Sequence, residues 1–190
     1  MTRRLITALA AATLAVAATA YAAVTPIPPD QYPPGCHPNG LALQGGEGFD
    51  DLVGTPQRDL LRGGPNGDEL FGHGGKDCLF GQTGFDTIHG GRGDDWLRGG
   101  DASDGLMEGG RGDDLIQGGP GQDHFLEGLG GSDSIRGGPG SDFPTEGGPG
   151  RDVIVDTRGH NQIACGKGLD KVITNQSSQV APNCEQVNRR

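Results

Sequence analysis

Aromatic and aliphatic side chains are scarce in this chain. Only nine of its 190 residues are aromatic (six Phe, two Tyr and one Trp), and hydrophobic residues make up 32%. An ordinary globular domain carries roughly 45–50% apolar residues when Gly is included. A conventional enzyme domain built around one large core is therefore not expected.

Positive charge is also in short supply. The chain has 15 Lys and Arg against 25 Asp and Glu, which gives a formal net charge of −10. A protein with this balance repels phosphate backbones and anionic lipid surfaces. We therefore expect no nucleic-acid partner, and the natural complement is a cation.

Long hydrophobic runs are missing except at the N-terminus. A basic start, Met1–Arg4, precedes the Ala-rich apolar run Leu5–Ala20, and Ala20–Ala22 offers a small-x-small cleavage site. This order is typical of a secretory signal peptide, although an uncleaved membrane anchor is the alternative because the run almost reaches spanning length. We predict a signal peptide at residues 1–22 and a secreted, extracellular protein without membrane insertion after cleavage. Because cleavage removes Arg3 and Arg4 and no acidic residue, the mature chain is still more acidic.

Glycine and proline are present in excess, with 38 Gly and 13 Pro. Six of the Pro fall in residues 23–44, which predicts an extended, Pro-rich lead-in. From Gly45 to Ile173 the chain follows a nine-residue frame of fourteen units with three one-residue insertions. The units begin at residues 45, 54, 63, 72, 81, 90, 99, 109, 118, 128, 137, 147, 156 and 165.

The sixth position of the frame is acidic. It holds thirteen of the chain's 19 Asp, and its one exception is Asn161. Alternate units form two series, which we call the first edge and the second edge. The first edge contains Asp50, Asp68, Asp86, Asp104, Asp123, Asp142 and Asn161. The second edge contains Asp59, Asp77, Asp95, Asp114, Asp133, Asp152 and Asp170.

The eighth position of the frame is apolar. It holds an aliphatic or aromatic residue in every unit except one, where Pro144 stands. Composition bias alone would scatter these residues across the frame, so a flexible Gly-rich linker is excluded. The eighth-position residues are Leu52, Leu61, Leu70, Leu79, Ile88, Leu97, Leu106, Ile116, Phe125, Ile135, Pro144, Ile154, Ile163 and Val172.

A Gly-rich turn followed by a strand with one inward side chain cannot bury a core alone. Two units therefore form a coil of about 18–19 residues, and the coils stack into two parallel sheets with aliphatic residues between them. Each edge then carries a column of carboxylates about 4.8 Å apart, which repel one another by roughly 1 kcal/mol in water and more when buried. The columns require a cation, and carboxylates with Gly-turn carbonyls are ligands that Ca²⁺ prefers over Mg²⁺.

The units resemble the RTX, or haemolysin-type, calcium-binding nonapeptide, Gly-Gly-x-Gly-x-Asp-x-aliphatic-x. The complete motif occurs at Gly45–Val53, Gly90–Arg98, Gly109–Gln117, Gly118–Leu126 and Gly147–Val155. The resemblance implies an all-β parallel β-roll (β-solenoid), which holds Ca²⁺ between successive turns of an edge. The thirteen sixth-position Asp and the turn carbonyls are the implied ligands.

Some units depart from the motif. Gln57, Asn66 and Ala102 replace the fourth-position Gly, and Asn161 replaces the Asp, so the sites that these turns contribute to are expected to be weak or empty. A separate pattern is formed by Glu108, Glu127 and Glu146, which recur at a constant interval. We assign the three insertions to these Glu, either as tolerated bulges on a solvated edge or as an additional metal or partner contact.

Four Cys in an exported chain indicate disulfides, with free thiols as the alternative. Cys165 and Cys184 flank the last unit and the polar residues 174–190, so their bond would fasten a C-terminal cap over the roll. Cys36 and Cys78 then pair by elimination and would tie the lead-in to the stack.

These patterns predict a secreted, monomeric calcium-binding protein that folds when it meets extracellular calcium. The alternative is a calcium-stabilised structural or adhesion module of the cell envelope or matrix, with a cell-wall or matrix partner that the sequence does not identify. We do not expect an enzyme, because the sequence has no His-Glu-x-x-His, Gly-x-Ser-x-Gly or P-loop motif and its five His fall at unrelated positions of the frame.

Overall fold

The computed structural model describes residues 24–190, and the predicted signal peptide lies outside this range. Within it the chain forms two long sheets that face each other, together with one turn of 3-10 helix at Pro29–Gln31. The predicted all-β parallel β-roll is confirmed.

Strands alternate between the two sheets along the chain. The ten-stranded sheet contains β1 (Thr25–Pro26), β2 (Ala42–Gln44), β4 (Leu60–Pro65), β6 (Cys78–Thr83), β8 (Trp96–Asp101), β10 (Leu115–Gln117), β12 (Ser134–Arg136), β14 (Val153–Asp156), β16 (Lys171–Thr174) and β18 (Gln186–Arg189). The eight-stranded sheet contains β3 (Asp51–Val53), β5 (Glu69–Gly74), β7 (Thr87–Arg92), β9 (Met107–Arg111), β11 (Leu126–Gly130), β13 (Thr145–Gly150), β15 (Gln162–Gly168) and β17 (Gln179–Val180).

The register follows the predicted coil length. Leu61 pairs with Leu79, which lies two nine-residue units further along the chain. Leu97 pairs with Ile116 across a coil that contains one of the single-residue insertions. Neighbouring strands are parallel except for β1 and β2, which are antiparallel. A parallel stack in this register places equivalent positions of successive coils directly above one another.

The core is a column of single aliphatic side chains between the sheets. Most strands supply one buried residue to it, because the residues on either side point outward. The exceptions include β13, which places Thr145 inward, and β15, which supplies both Ile163 and Cys165. The column consists of Leu43, Leu52, Leu61, Leu70, Leu79, Ile88, Leu97, Met107, Ile116, Leu126, Ile135, Ile154, Ile163, Cys165 and Val172.

The predicted inward position is wrong in three coils. Met107, Leu126 and Thr145 are fully buried, whereas the expected core residues Leu106, Phe125 and Pro144 lie outside the column, and Phe125 is 48% exposed.

The cause is a bulge between the edge Asp and the strand. Gly105 donates its N–H to the Asp86 carbonyl, and the next residue, Leu106, accepts the N–H of Ile88, so two residues occupy the space of one. The inserted residue therefore lies before the core residue.

This bulge also corrects the assignment of the insertions to the glutamates. Glu108 pairs in register with His89, and Glu127 pairs with Glu108 and Glu146. The three Glu therefore stack as a ladder, but they are ordinary strand positions and not the inserted residues.

Both ends of the roll carry a disulfide. Cys36–Cys78 fastens the Pro-rich segment to a small second core that includes Ile27 and Leu60. Cys165–Cys184 fastens the C-terminal residues, which add β17 and β18 to the two sheets, so the predicted disulfide-fastened C-terminal cap is confirmed.

Candidate metal centres

The structure brings the sixth-position Asp together in the two predicted columns. All thirteen are buried, with at most 2% of each residue exposed, and Asn161 is 1% exposed. Each Asp directly precedes a strand or a bulge and follows a Gly-rich turn, so the stacking of the turns dictates the stacking of the carboxylates. They are Asp50, Asp59, Asp68, Asp77, Asp86, Asp95, Asp104, Asp114, Asp123, Asp133, Asp142, Asp152 and Asp170.

One oxygen of the carboxylate ties successive coils together in every column Asp except Asp50, whose Oδ2 accepts the Gly46 N–H of its own turn. On the second edge the Asp59 N–H donates to Asp77 Oδ1 at 2.7 Å, and the Asp77 N–H donates to Asp95 Oδ1 at 2.8 Å. The first edge repeats this pattern, for example from the Asp50 N–H to Asp68 Oδ1 at 2.8 Å. An aspartate in this column therefore satisfies a backbone donor of the preceding coil.

The other carboxylate oxygen has no such partner. In eleven of the thirteen Asp the Oδ2 atom is buried without a hydrogen bond. A buried, unpaired carboxylate oxygen is costly, because desolvation is not offset by a donor. The eleven residues are Asp68, Asp77, Asp86, Asp95, Asp104, Asp114, Asp123, Asp133, Asp142, Asp152 and Asp170.

The unpaired oxygens converge with backbone carbonyls beside the first-position Gly. A Cβ atom added at Gly72 would lie 2.6 Å from Asp77 Oδ2 and 2.5 Å from the carbonyl oxygen of Gly90 in the next coil. At Gly90 the distances are 2.7 Å to Asp95 Oδ2 and 2.5 Å to the Gly109 carbonyl. The space that a side chain would fill is lined by oxygen atoms of two successive coils.

This donor set fits calcium. Hard carboxylate and carbonyl oxygens from flexible turns are what Ca²⁺ prefers, and all four Cys are committed to disulfides. Among residues 24–190 no three acidic, His or Cys side chains gather as a metal cluster, and the oxygens that converge at turns such as those of Gly72 and Gly90 are one carboxylate oxygen and backbone carbonyl oxygens.

The comparison with protein families decides the classification. The family model described as RTX calcium-binding nonapeptide repeat (4 copies) matches residues 44–79, 74–106, 102–126, 125–143 and 146–176. The chain belongs to this family. No curated protein and no solved structure matches it. No helix in the described residues of this RTX protein is long and apolar enough to cross a membrane.

Burial controls the protonation of the RTX columns. The pKa of Asp77, Asp104 and Asp114 is raised to about 8, chiefly by burial and also by the charges of neighbouring Asp in the column, against the lowering effect of the backbone N–H bond. The pKa of Asp86 and Asp95 is raised to about 6 for the same first reason. In the absence of a cation, these carboxyl groups resist ionisation.

The turns that lack the fourth-position Gly keep much of the RTX backbone. Asn66 and Ala102 adopt φ values of +74° and +100°, in the region that normally requires Gly. Two of the three replaced turns therefore retain a left-handed residue, and Ala102 does so against the steric clash of its Cβ with the backbone.

Four buried or column-capping residues are not among the site residues that the sequence pattern predicts. Ser178 Oγ accepts the Asn161 N–H at 3.4 Å and Glu185 Oε2 accepts the Asp170 N–H at 3.0 Å, so they take the place of the next column Asp. Asp156, at a first position of the frame on the first edge, and Thr174, directly after the last unit, are fully buried. Asp156 could have been found from the frame, because it stands where Gly is expected, whereas Glu185 lies outside the nine-residue period.

Proposed function

We propose that this is a secreted calcium-binding protein whose β-roll holds Ca²⁺ between successive coils. The thirteen sixth-position Asp would supply the carboxylate ligands, and the carbonyls of the Gly-rich turns would supply the rest. Export would follow from the predicted signal peptide, residues 1–22. Calcium would be met outside the cell, where the chain folds.

One observation carries this proposal: the row of buried Oδ2 atoms without a partner that face a carbonyl of the next coil. A bound divalent cation would offset both the desolvation of the carboxylates and their mutual repulsion. Calcium supplies this charge when bound, and the protein positions the oxygens and excludes other side chains through its first-position Gly.

The thin core supports coupling between binding and folding. Most nine-residue units bury one apolar side chain in the central column, so burial offsets only part of the conformational entropy lost when nine residues are ordered. Because the columns add repulsion to this balance, the chain is expected to remain unfolded at neutral pH until calcium binds.

The second edge is the more regular set of turns. From Gly75 to Gly168 it keeps Gly at every fourth position, at Gly75, Gly93, Gly112, Gly131, Gly150 and Gly168. The first edge has Asn66, Ala102 and Asn161 as departures. We therefore propose that the second edge binds calcium more uniformly.

The test is a calcium titration of residues 23–190, with both disulfides intact, followed by far-UV circular dichroism against a MgCl₂ control. We expect a cooperative gain of β signal with CaCl₂ and no comparable gain with MgCl₂. A chain that is already fully folded in EDTA at neutral pH, or one that responds equally to both ions, would contradict the proposal.

A purely structural or adhesive role is the second candidate, and it receives less support. Such a role needs a regular array on an outward face, whereas the outward residues of neighbouring strands β6, β8 and β10 are mixed, for example Phe80, Arg98 and Gln117 in one row. Retention on isolated cell wall only in the presence of calcium would favour it. Neither proposal assigns a catalytic activity.

A further inference from the structure

The first edge ends in a turn of unusual composition. In most coils the first position is Gly, and the point above it is lined by the next coil's carbonyl oxygen, as at Gly118, where a Cβ would lie 2.7 Å from the Gly137 carbonyl. At Gly137 the next coil contributes a side chain instead. A Cβ there would lie 2.5 Å from Asp142 Oδ2 and 2.8 Å from Asp156 Oδ2.

Asp156 is buried without any partner. It has 0% exposure, and neither of its carboxylate oxygens accepts a hydrogen bond. The column Asp residues each satisfy a backbone donor, so Asp156 differs from them in having both oxygens free. A carboxylate in this state needs either a cation or a proton.

Thr174 adds a third unpaired oxygen next to it. The residue pairs in register with Asp156 on the adjacent parallel strand, so the two side chains lie on the same face of the sheet. Thr174 is also fully buried, and its hydroxyl has no partner. Asp142 and Asp156 therefore face the same point beside Gly137, and Thr174 lies next to Asp156 in the following coil.

Asn161, which interrupts the Asp series of the first edge, contributes no charged oxygen to this region. Asn161 Oδ1 accepts the Asp142 N–H, and its amide nitrogen donates to the Asp156 and Arg158 carbonyls. Its side chain is thus committed to the backbone and brings no charge. Asp156 restores the negative charge that the column loses at Asn161, but from a different position of the coil.

We propose that Asp142, Asp156 and Thr174 form a calcium site distinct from the repeat sites, with a second carboxylate in place of a turn carbonyl. Because calcium affinity increases with the number of charged ligands, this site binds calcium more tightly than the repeat sites. It would fill first and order the C-terminal coils. The inference rests on the proposed function, because it presupposes that the roll binds calcium.

The experiment compares the wild type with D156N and with D51N, which removes an exposed carboxylate from the outward side of β3. Native mass spectrometry counts bound calcium at sub-saturating concentrations. Urea unfolding is measured at a series of calcium concentrations. The slope of the unfolding free energy against the logarithm of the calcium concentration then gives the number of ions taken up on folding. We expect D156N to bind the first-filled ion about tenfold more weakly or worse, so that this ion is missing at sub-saturating calcium and the slope is lower. D51N should match the wild type.

A structural role for Asp156 gives a different result, because D156N would then shift stability at all calcium concentrations without changing the slope. That outcome, or an unchanged ion count, overturns the inference while leaving the repeat sites intact. A wild type that binds no calcium overturns the proposed function itself. If D156N does not fold, T174V removes only the hydroxyl oxygen, and an unchanged affinity of the first-filled site in T174V overturns the inference.

Discussion

A methyl group at a first-position Gly probes the space between two coils. G72A would place a Cβ 2.5 Å from the Gly90 carbonyl and 2.6 Å from Asp77 Oδ2, a contact that real Cβ atoms do not make. We expect loss of calcium at this turn and a higher calcium midpoint for folding, measured by circular dichroism.

Gly74 provides the matched control two residues away. A Cβ there would approach nothing closer than 3.7 Å, so G74A should leave the calcium midpoint unchanged or lower it slightly, since Ala reduces the entropy of the unfolded chain. Equal effects of the two substitutions would argue against a cation space beside Gly72.

Ala102 is strained by its backbone conformation. Its φ of +100° favours Gly, and A102G should raise the free energy of unfolding by about 1 kcal/mol at saturating calcium, measured by urea denaturation. N66G is the control with a smaller expected gain, because Asn tolerates the left-handed region better than Ala. A larger gain at Asn66 than at Ala102 would contradict this assignment of strain.

At this scale the sequence identifies the column Asp but not the residues that complete the columns. The nine-residue period points to Asp77 or Asp114 because each repeats at a fixed interval. Ser178 and Glu185 follow the last unit at other intervals, so only the stacked coils bring them beside Asn161 and Asp170.

The raised pKa values of the column Asp make the stability of the roll depend on pH. Burial raises the pKa of Asp77, Asp104 and Asp114 to about 8, well above the value near 4 of an unfolded chain. A raised pKa stabilises the fold below the unfolded value and loses this effect as the pH rises through the folded value. Without calcium, the roll should therefore gain stability on acidification and lose it as the pH rises from about 4 to about 8.

Circular dichroism in metal-free buffer from pH 4.5 to 8.5 measures this dependence. The affinity of the folded roll for calcium should fall as the pH falls, because protons compete with the cation for the same oxygens. A metal-free chain with the same β content at pH 5 and pH 8 would show that the column carboxyls do not control folding.

The nine-residue period predicts the regular strands but does not predict the bulges. The alternation of one buried and two outward residues fixes β5, β7 and β12 directly from the frame. The bulges do not follow from it, since both Leu106 and Met107 are apolar and only the hydrogen bonds of Gly105 and Leu106 decide which one points inward.

For the whole molecule, the Cys165–Cys184 bond should control the stability of the capped end. It spans a sequence separation of 19, and a loop of this size is worth about 3 kcal/mol of unfolding free energy in the chain-entropy account. The double variant C165A/C184A should lose about this amount at fixed calcium and require more calcium to fold, as measured by urea denaturation. A loss well under about 1 kcal/mol would indicate that β17 and β18 hold the cap without the bond.

The overall architecture is the most predictable part of the molecule. A stack of short repeats has only one way to align its Asp and its aliphatic residues together, so the parallel roll follows from the frame. The N-terminal end does not, because β1 and the turn at Pro29–Gln31 contain no repeat, and their placement depends on Ile27, Leu60 and the Cys36–Cys78 bond.

The antiparallel β1 has a consequence for how these molecules behave at high concentration. An open parallel sheet is a template on which a second molecule can add its own strands, and repetition of that step produces fibrils. At the N-terminal end of the ten-stranded sheet, β1 reverses the chain direction and ends in Pro26, which has no N–H to donate. At this end the sheet is therefore covered by a short strand that ends in Pro, which is a poor template for the strands of a second molecule.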